Sequence, residues 1–576
     1  MGRHNDRGED PSLRRGAWSR RGFLFGMAGA GATLASASAL AAFLEACGNA
    51  STGGAKNVAP VKGGHLIEGS PQDILGLNPV LLSPGISVLL TDMLFEPLMV
   101  NDNQGNLIPA LASGQPKVSS DGLTYTFSLR KDVKWSDGQP LTSDDVLFTF
   151  NLMFDQAYSA VRSPWRGDLT ANLASINAPD PATVVFTLKR QYAPFLATHA
   201  VHGIVPKHVL GSLSPAQINT SDFNKAPTVV SGVFKFVEWA QGDHVTLARN
   251  DSYYGGQSHL DQYVMKVVGD DTSLINLLKT GGVDCARVQT TSSFAPLDAE
   301  PSLTSVAYAV NTIVTAFFNL NQSRPAGKIF SSQKVRQALA YAFDRQSLIK
   351  SVYLDVGAKV ADQFFLPNSW AFDPTVSPKY TLDTKKAEQL LDEDGWVKGS
   401  DGIRAKGGQK LSFEITTSSN AKEYTLDAQV MQQQWKSIGA DVSVKAIAYT
   451  QEIQLANFTH AFDVIVFNTN PGLDPDLTNY WTTQGYGTGG LNASDYINPQ
   501  MDSLFSNATA TTDKARRKAA YSKISNILAT DVPAIPIVYP FGKFYFNKRV
   551  HGMDSIGTYT LFGPRPYMKD VFVTSS

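Results

Sequence analysis

Cysteine is nearly absent from this chain: Cys47 and Cys285 are the only two in 576 residues, and they lie far apart. A disulfide framework and a cysteine-rich metal site are both excluded. Net charge is missing as well. Lys and Arg number 50 against 51 Asp and Glu, a formal net charge of −1, which offers no attraction for nucleic acid or for an acidic membrane surface. No repeat of solenoid period is present. The usual marks of catalysis are lacking too: no G-x-S-x-G, no Walker loop, no H-E-x-x-H and no dinucleotide fingerprint. No catalytic residue, metal or cofactor is therefore expected. His199 and His202 form an HxxH with no glutamate between them and no evident third ligand. Asp474 and Asp476 flank Pro475, but a calcium loop needs more spaced oxygens.

What is present is an ordinary globular composition, 43% hydrophobic and 18% charged, with 46 Gly and 30 Pro scattered as turn formers. The length allows several domain-sized cores or one large multi-lobed protein. Residues 1–18 are polar and arginine-rich, Arg20 and Arg21 precede Phe23-Leu24, and a Gly/Ala-rich apolar run reaches Leu44. That order is an export signal, and the paired arginines resemble the twin-arginine motif. Leu44-Glu45-Ala46-Cys47-Gly48 resembles a lipobox, although Glu45 is not the small or apolar residue usual there. Lipidation at Cys47 would anchor the mature protein to a membrane without a span, with residues 47–63 as a flexible tether. Cys285 reads as a buried structural thiol.

The mature chain alternates strands and helices. Residues 64–69 begin as a strand, and Leu89, Leu90, Met93 and Leu94 follow on a helix after a loop holding Ile86. In residues 107–150, Leu123, Tyr125, Phe127 and Leu129 alternate with polar residues, the period of a half-buried strand. Val133 and Trp135 continue it, and Thr142 caps a helix with Asp144 and Asp145 in its first turn. Later helices start at Ser332, Asp383 and Asp513, and Gly281, Gly395 and Gly439 end others. Alternation with long returns predicts a two-lobed α/β protein.

Several blocks resemble a known family in wording and order: Phe95-Glu96-Pro97-Leu98, Pro109-Ala110-Leu111-Ala112, the 107–150 region, Arg249-Asn250 with Tyr253-Tyr254-Gly255, and Val335-Arg336-Gln337-Ala338-Leu339 with Asp344-Arg345. Val233 stands where that family usually has proline in its Gly-Pro-Tyr. The chain is similar, over residues 64–576, to the extracellular solute-binding proteins of family 5, the peptide/nickel receptors of ABC importers. The resemblance implies a periplasmic-binding-protein type II fold (cluster C) with an extra subdomain and a hinge between lobes. The expected domains are a signal at 1–46, a tether at 47–63, lobe I at 64–106, an extra subdomain at 107–227, lobe I again at 228–320, lobe II at 321–538, and a return to lobe I at 539–576. The crossings would lie near Leu320-Asn321 and Tyr539-Pro540.

The implied function is capture of an extracellular solute, foremost an oligopeptide, by hinge closure and delivery to a membrane permease and its ATPase. An oligosaccharide or other neutral solute, an exported hydrolase and a sensor subunit are the alternatives. In peptide-binding members an aspartate ahead of the "DP" dipeptide holds the ligand's amino group; here its place falls near Asn470-Pro471, so the carboxylate is missing. The candidate ligand contacts are Ile86, Trp370, Tyr449, Phe467, Asn468, Thr469, Asn470, Asp474 and Trp481. The protein is expected to be a monomer, lipid-anchored on the outer side of the cytoplasmic membrane.

Overall fold

One long strand, Ala534–Asn547, belongs to both halves of the molecule. Its first residues pair with Ile313–Phe318, from Phe317 opposite Ala534 to Val314 opposite Val538. Its last residues pair with Leu303–Ala309, from Ala309 opposite Phe541 to Leu303 opposite Asn547. The computed structural model describes residues 58–82, 85–102, 106–472, 474–487, 490–553 and 568–574, so Arg20, Arg21 and Cys47 lie outside the described residues. Among the described residues, twelve strands join into one hydrogen-bonded sheet through this strand.

On the lobe I side, His65–Ser70 runs parallel to Gln262–Val267 and to Cys285–Val288, and His244–Arg249 and Phe234–Ala240 extend the sheet antiparallel. On the lobe II side, Ser412–Ser418 is parallel to Asp441–Ile447 and to Val464–Thr469, which pairs antiparallel with Ile313–Phe318. Parallel strands of this kind need helical crossovers. Lys422–Ser437 is one, burying Ala428, Met431 and Trp435, and the Trp435 Nε1 donates to the Leu339 carbonyl at 2.9 Å.

The first crossing falls at residues 309–313, upstream of the expected Leu320-Asn321. The reason is pairing: Ile313–Phe318 is already bonded along its whole length to Val464–Thr469, so that strand sits inside the lobe II sheet. The second change of partner falls at Tyr539-Pro540, where proline can supply no ladder N–H and its carbonyl accepts from the Val310 N–H at 3.2 Å.

Residues 107–227 contribute a four-stranded antiparallel sheet, Lys117–Val118, Thr124–Ser128, Thr183–Leu188 and Leu173–Asp180, against the helix Ser143–Phe154. Tyr125 and Phe127 point inward as the alternation predicts. Val133 and Trp135 do not extend the strand. They follow it in a turn-rich segment and bury themselves there, and the Trp135 Nε1 reaches Asp145 at 3.4 Å. The Thr142 N–H donates to Asp145 Oδ2 at 3.0 Å, which completes a capping box. A single apolar cluster runs from Leu66 through this sheet to Tyr263, so the subdomain and lobe I share one core.

The sequence blocks prove to be joints of this core and of the one in lobe II. Glu96 accepts from the Tyr253 hydroxyl at 2.9 Å and the Tyr254 hydroxyl at 3.1 Å, and its N–H donates to Ser231 Oγ. Arg336 donates to the carbonyls of Phe330, Asp531 and Val532, and Arg345 to those of Ala361, Pro536 and Tyr380. Cys285 is buried, and burial together with nearby Glu68 and Asp284 pushes its thiol far up, which leaves it protonated and inert.

At the crossing, a Cβ on Gly542 would run into the Tyr308 ring. Gly542→Ala should therefore lower stability in urea unfolding by about 1–3 kcal/mol, the usual cost of overpacking, and shortening Tyr308 to Ala in the same chain should recover most of the loss.

Candidate ligand-binding site

The strand Val464–Thr469 buries its first residues in the lobe II sheet and then brings Phe467 and Asn468, half-buried, to its end. The helix Tyr449–Gln454 and the wider turn Leu455–Thr459 lie alongside. Tyr449, Ile453 and Asn457 recur every four residues and so share one helical face. That face, Phe467-Asn468, Asn470, Tyr480 and Phe317 enclose a cavity of about 170 Å³. An apolar cavity of roughly 150 Å³ accommodates benzene, so this one takes a group the size of one large side chain. Among the described residues, no Asp, Glu, Lys, Arg or His lines it.

The cavity is tied to the hinge. Thr312, on the first crossing, donates through Oγ1 to Asn470 Oδ1 at 2.6 Å. The Asn470 N–H donates to the Tyr480 hydroxyl at 3.2 Å. Tyr449 and Phe467 stack with ring centres 6.5 Å apart and planes 28° from parallel, and Tyr449 keeps 47% of its surface exposed. A second cavity, near Arg345 and Tyr380, measures only about 20 Å³ and is a packing gap.

Of the nine candidate contacts, the structure brings four together here: Tyr449, Phe467, Asn468 and Asn470. The other five stand elsewhere. Trp481 is fully buried, stacked behind Phe317 at 5.9 Å and against Phe364 at 4.5 Å, so it backs the wall without facing the cavity. Thr469 is buried against the Thr315 hydroxyl at 3.2 Å, since strand alternation turns it away from Asn468. Ile86 opens the helix Ile86–Leu94 and packs on the lobe I core. Trp370 and Asp474 meet at a buried cation. The Arg517 guanidinium grips Asp474 through Nη1 at 2.8 Å and Nη2 at 2.5 Å, donates to the Ala508 carbonyl at 2.9 Å, and lies 4.9 Å from the Trp370 ring centre. Phe317, Ile453, Asn457 and Tyr480 were not singled out from sequence. The four-residue recurrence of Tyr449, Ile453 and Asn457 was the available signal.

On the same helix, Glu452 is buried and neither carboxyl oxygen makes a well-formed hydrogen bond. Burial raises its pKa from 4.5 to about 8, although Ser418, close by in imperfect geometry, pulls it part of the way down. The HxxH residues are also accounted for. His199 Nε2 pairs with Asp168 Oδ2 at 2.5 Å, its Nδ1 faces His202 Nε2 at 3.3 Å, and the Trp165 ring covers His202.

Comparison with known proteins matches this architecture. A family model described as bacterial extracellular solute-binding proteins, family 5 Middle, matches residues 106–490. The oligopeptide-binding protein AppA of Bacillus subtilis is 30% identical over 522 residues, 89% of this chain and 94% of its own length. The structure of the Bacillus subtilis AppA in complex with a nonapeptide aligns at a TM-score of 0.76 and 28% identity, covering 90% of this chain and all of that one. The ABC transporter substrate binding protein CtaP of Listeria monocytogenes aligns at 0.78 and 28%, over 89% of this chain and all of that one. Fold and cleft together define a two-lobed α/β binding protein. The chain belongs to the bacterial extracellular solute-binding proteins of family 5, a family of exported receptors.

Two outcomes follow for the site's supports. Arg517→Ala leaves Asp474 buried without its partner and should cost about 3–5 kcal/mol in chemical unfolding. For Glu452, whose folded pKa lies above the unfolded value, the stabilising share is complete below pH 4.5 and is lost as pH rises toward 8. Stability should fall through that window by up to about 1.4 kcal/mol per pH unit from this group, and Glu452→Gln should remove that slope.

Proposed function

We propose that this protein is the receptor subunit of an ABC importer, capturing an oligopeptide outside the cytoplasm and handing it to a permease driven by its ATPase. The observation that carries the reading is the cavity at the crossing strands, with aromatic walls, amide groups and a direct bond to the hinge through Thr312. Kinship with AppA, described in complex with a nonapeptide, supports a peptide as the ligand. The lobes close on the ligand by bending at residues 309–313 and 539–541, and the closed form is the one a permease recognises. The protein acts by binding and not by turnover. It works as a monomer, exported through the signal around Arg20 and Arg21 and held by lipid at Cys47, with the lobes dividing near residues 64–106, 228–312 and 541–576 on one side and 313–538 on the other.

Within this reading, one neutral side chain of the peptide enters the cavity, packed against Tyr449 and Phe467 and hydrogen-bonded by the amides of Asn457, Asn468 and Asn470. The uncharged lining also supports a second reading, an oligosaccharide or other neutral solute, because rings and amides suit sugars as well.

Mass spectrometry of the ligand released from purified protein tests the assignment. A peptide mixture is expected; a sugar would move the assignment to the second reading, and ligand hydrolysed by the protein on standing would overturn a pure receptor. A variant sharpens this. Asn470→Asp places a carboxylate at the cavity, and a charge-assisted bond is worth roughly 1.5–3 kcal/mol. In calorimetry with a recovered peptide in free-amine and acetylated forms, the variant should favour the free amine by about ten-fold or more relative to wild type. An unchanged ratio would mean that the amine lies elsewhere.

A further inference from the structure

Outside the cleft, the extra subdomain touches lobe II directly. The Ala193 N–H donates to the Thr509 carbonyl at 2.7 Å, joining the segment after Thr183–Leu188 to the last residue of the helix Pro499–Thr509. Beside it the buried Tyr192 hydroxyl stands between two carboxylates, 3.5 Å from Asp168 Oδ1 in the subdomain and 3.4 Å from Asp476 Oδ2 in lobe II. Both distances are long for phenol–carboxylate bonds. A phenol has one proton and cannot donate to both acids, and two carboxylates facing one oxygen repel each other.

The surrounding groups show which acid can relax this conflict. Asp168 already has partners on its own side: His199 Nε2 meets its other oxygen at 2.5 Å and Asn172 Nδ2 donates to Oδ1 at 3.2 Å. His202, next in line, is kept neutral by burial and by His199 beside it. On the lobe II side, Arg517 is committed to Asp474, the Ala508 carbonyl and Tyr521, and among the described residues no cation pairs with Asp476. Apart from the long contact with the Tyr192 hydroxyl on Oδ2, Asp476 receives, among the described residues, the Thr478 N–H and hydroxyl, both on Oδ1. Burial raises its pKa, Thr478 offsets part of that, and Asp474 and Asp168 raise it further. With a proton on Asp476 every group is satisfied: Asp476 donates to the Tyr192 oxygen, Tyr192 donates to Asp168, and His199 donates to Asp168 from the other side.

We infer that Tyr192, Ala193, Asp476 and Thr509 form a latch that holds the lobes closed away from the ligand and that tightens when Asp476 takes up a proton. Arg517 positions both lobe II halves of it, the Asp474–Asp476 loop through Asp474 and Thr509 through Ala508. The sign follows from the raised value: closing the latch binds a proton, so the latched form gains over the open form as pH falls toward the acid range, by at most about ten-fold per pH unit. A receptor built this way holds its ligand longer in acidic surroundings.

The Ala193 amide reports the latch directly, because its proton exchanges with solvent only when the bond to Thr509 opens. Hydrogen–deuterium exchange is measured by mass spectrometry on ligand-stripped full-length protein between pH 5 and 7.5, corrected for the intrinsic pH dependence of exchange. In wild type the protection of Ala193 should grow several-fold toward pH 5. Asp476→Asn, which donates as the protonated acid does, should show strong protection at every pH. Tyr192→Phe, which cannot bridge, should show weak protection at every pH. Protection in the buried strand Cys285–Val288 should be the same in all three, which separates loss of the latch from loss of the fold. Equal Ala193 protection in the three proteins, or a pH trend that survives in Asp476→Asn, would overturn the proposal. Failure to bind any peptide would sink the receptor reading without altering these exchange rates, so the two can fail separately.

Discussion

Two chain crossings govern this molecule, and one of them is a single unbroken strand. Ala534–Asn547 is hydrogen-bonded into the lobe II sheet at one end and the lobe I sheet at the other. Bending where the pairing changes hands, at residues 309–313 and 539–541, would leave the ladder bonds on both sides intact. Proline at 540 withdraws one donor there, and the register shift between Val314 and Thr315 loosens the opposing chain. The cavity sits against this same point, with Asn470 bonded to Thr312. An occupant that shifts Asn470 acts on the hinge through one hydrogen bond, without a long chain of intermediaries.

Charge is spent on fixing this frame and withheld from the cleft. Arg287 pairs with Glu68, Arg549 with Asp284 and Arg517 with Asp474, while Arg336 and Arg345 hold backbone carbonyls at strand and helix ends. Buried ions of this sort add little net stability compared with apolar packing, but removing one partner is costly. They thus specify geometry more than they raise stability. The near-zero net charge of the chain and the uncharged cavity are consistent with a ligand recognised by shape, stacking and neutral hydrogen bonds.

Much of the fold was legible in the residues, and the site much less so. Strand alternation at Tyr125 and Phe127, the Thr142 capping box, the Asp383 cap and the glycines at 281, 395 and 439 all carry local rules, and local rules survive tertiary context. Gly281, for instance, has φ of 75°, a conformation it adopts without strain. The crossing near residue 310 was misplaced because a buried strand and a spanning strand look alike in sequence; only the partner distinguishes them. Of the residues expected at the cleft, Asn468 and Asn470 come from a loop whose wording resembles the family's and Tyr449 and Phe467 from aromatic character alone; all four line one cavity. Trp370, expected there as an aromatic, and Asp474, which matches the family's "DP" aspartate, bracket Arg517, 43 residues downstream of Asp474. Nothing in the local sequence announces such a long-range partner. Phe317 and Tyr480 were passed over because a cavity is formed by elements distant in the chain.

The account depends on closure about a ligand at the crossing strands. Small-angle X-ray scattering on the protein loaded with its own released and re-added ligand, compared with the stripped protein, tests this most directly. The prediction is a smaller radius of gyration on loading, lost again when Thr312 and Asn470 are both replaced by alanine, with ligand still bound more weakly in the open form. An unchanged radius on loading, with ligand occupancy verified by mass spectrometry, would contradict it.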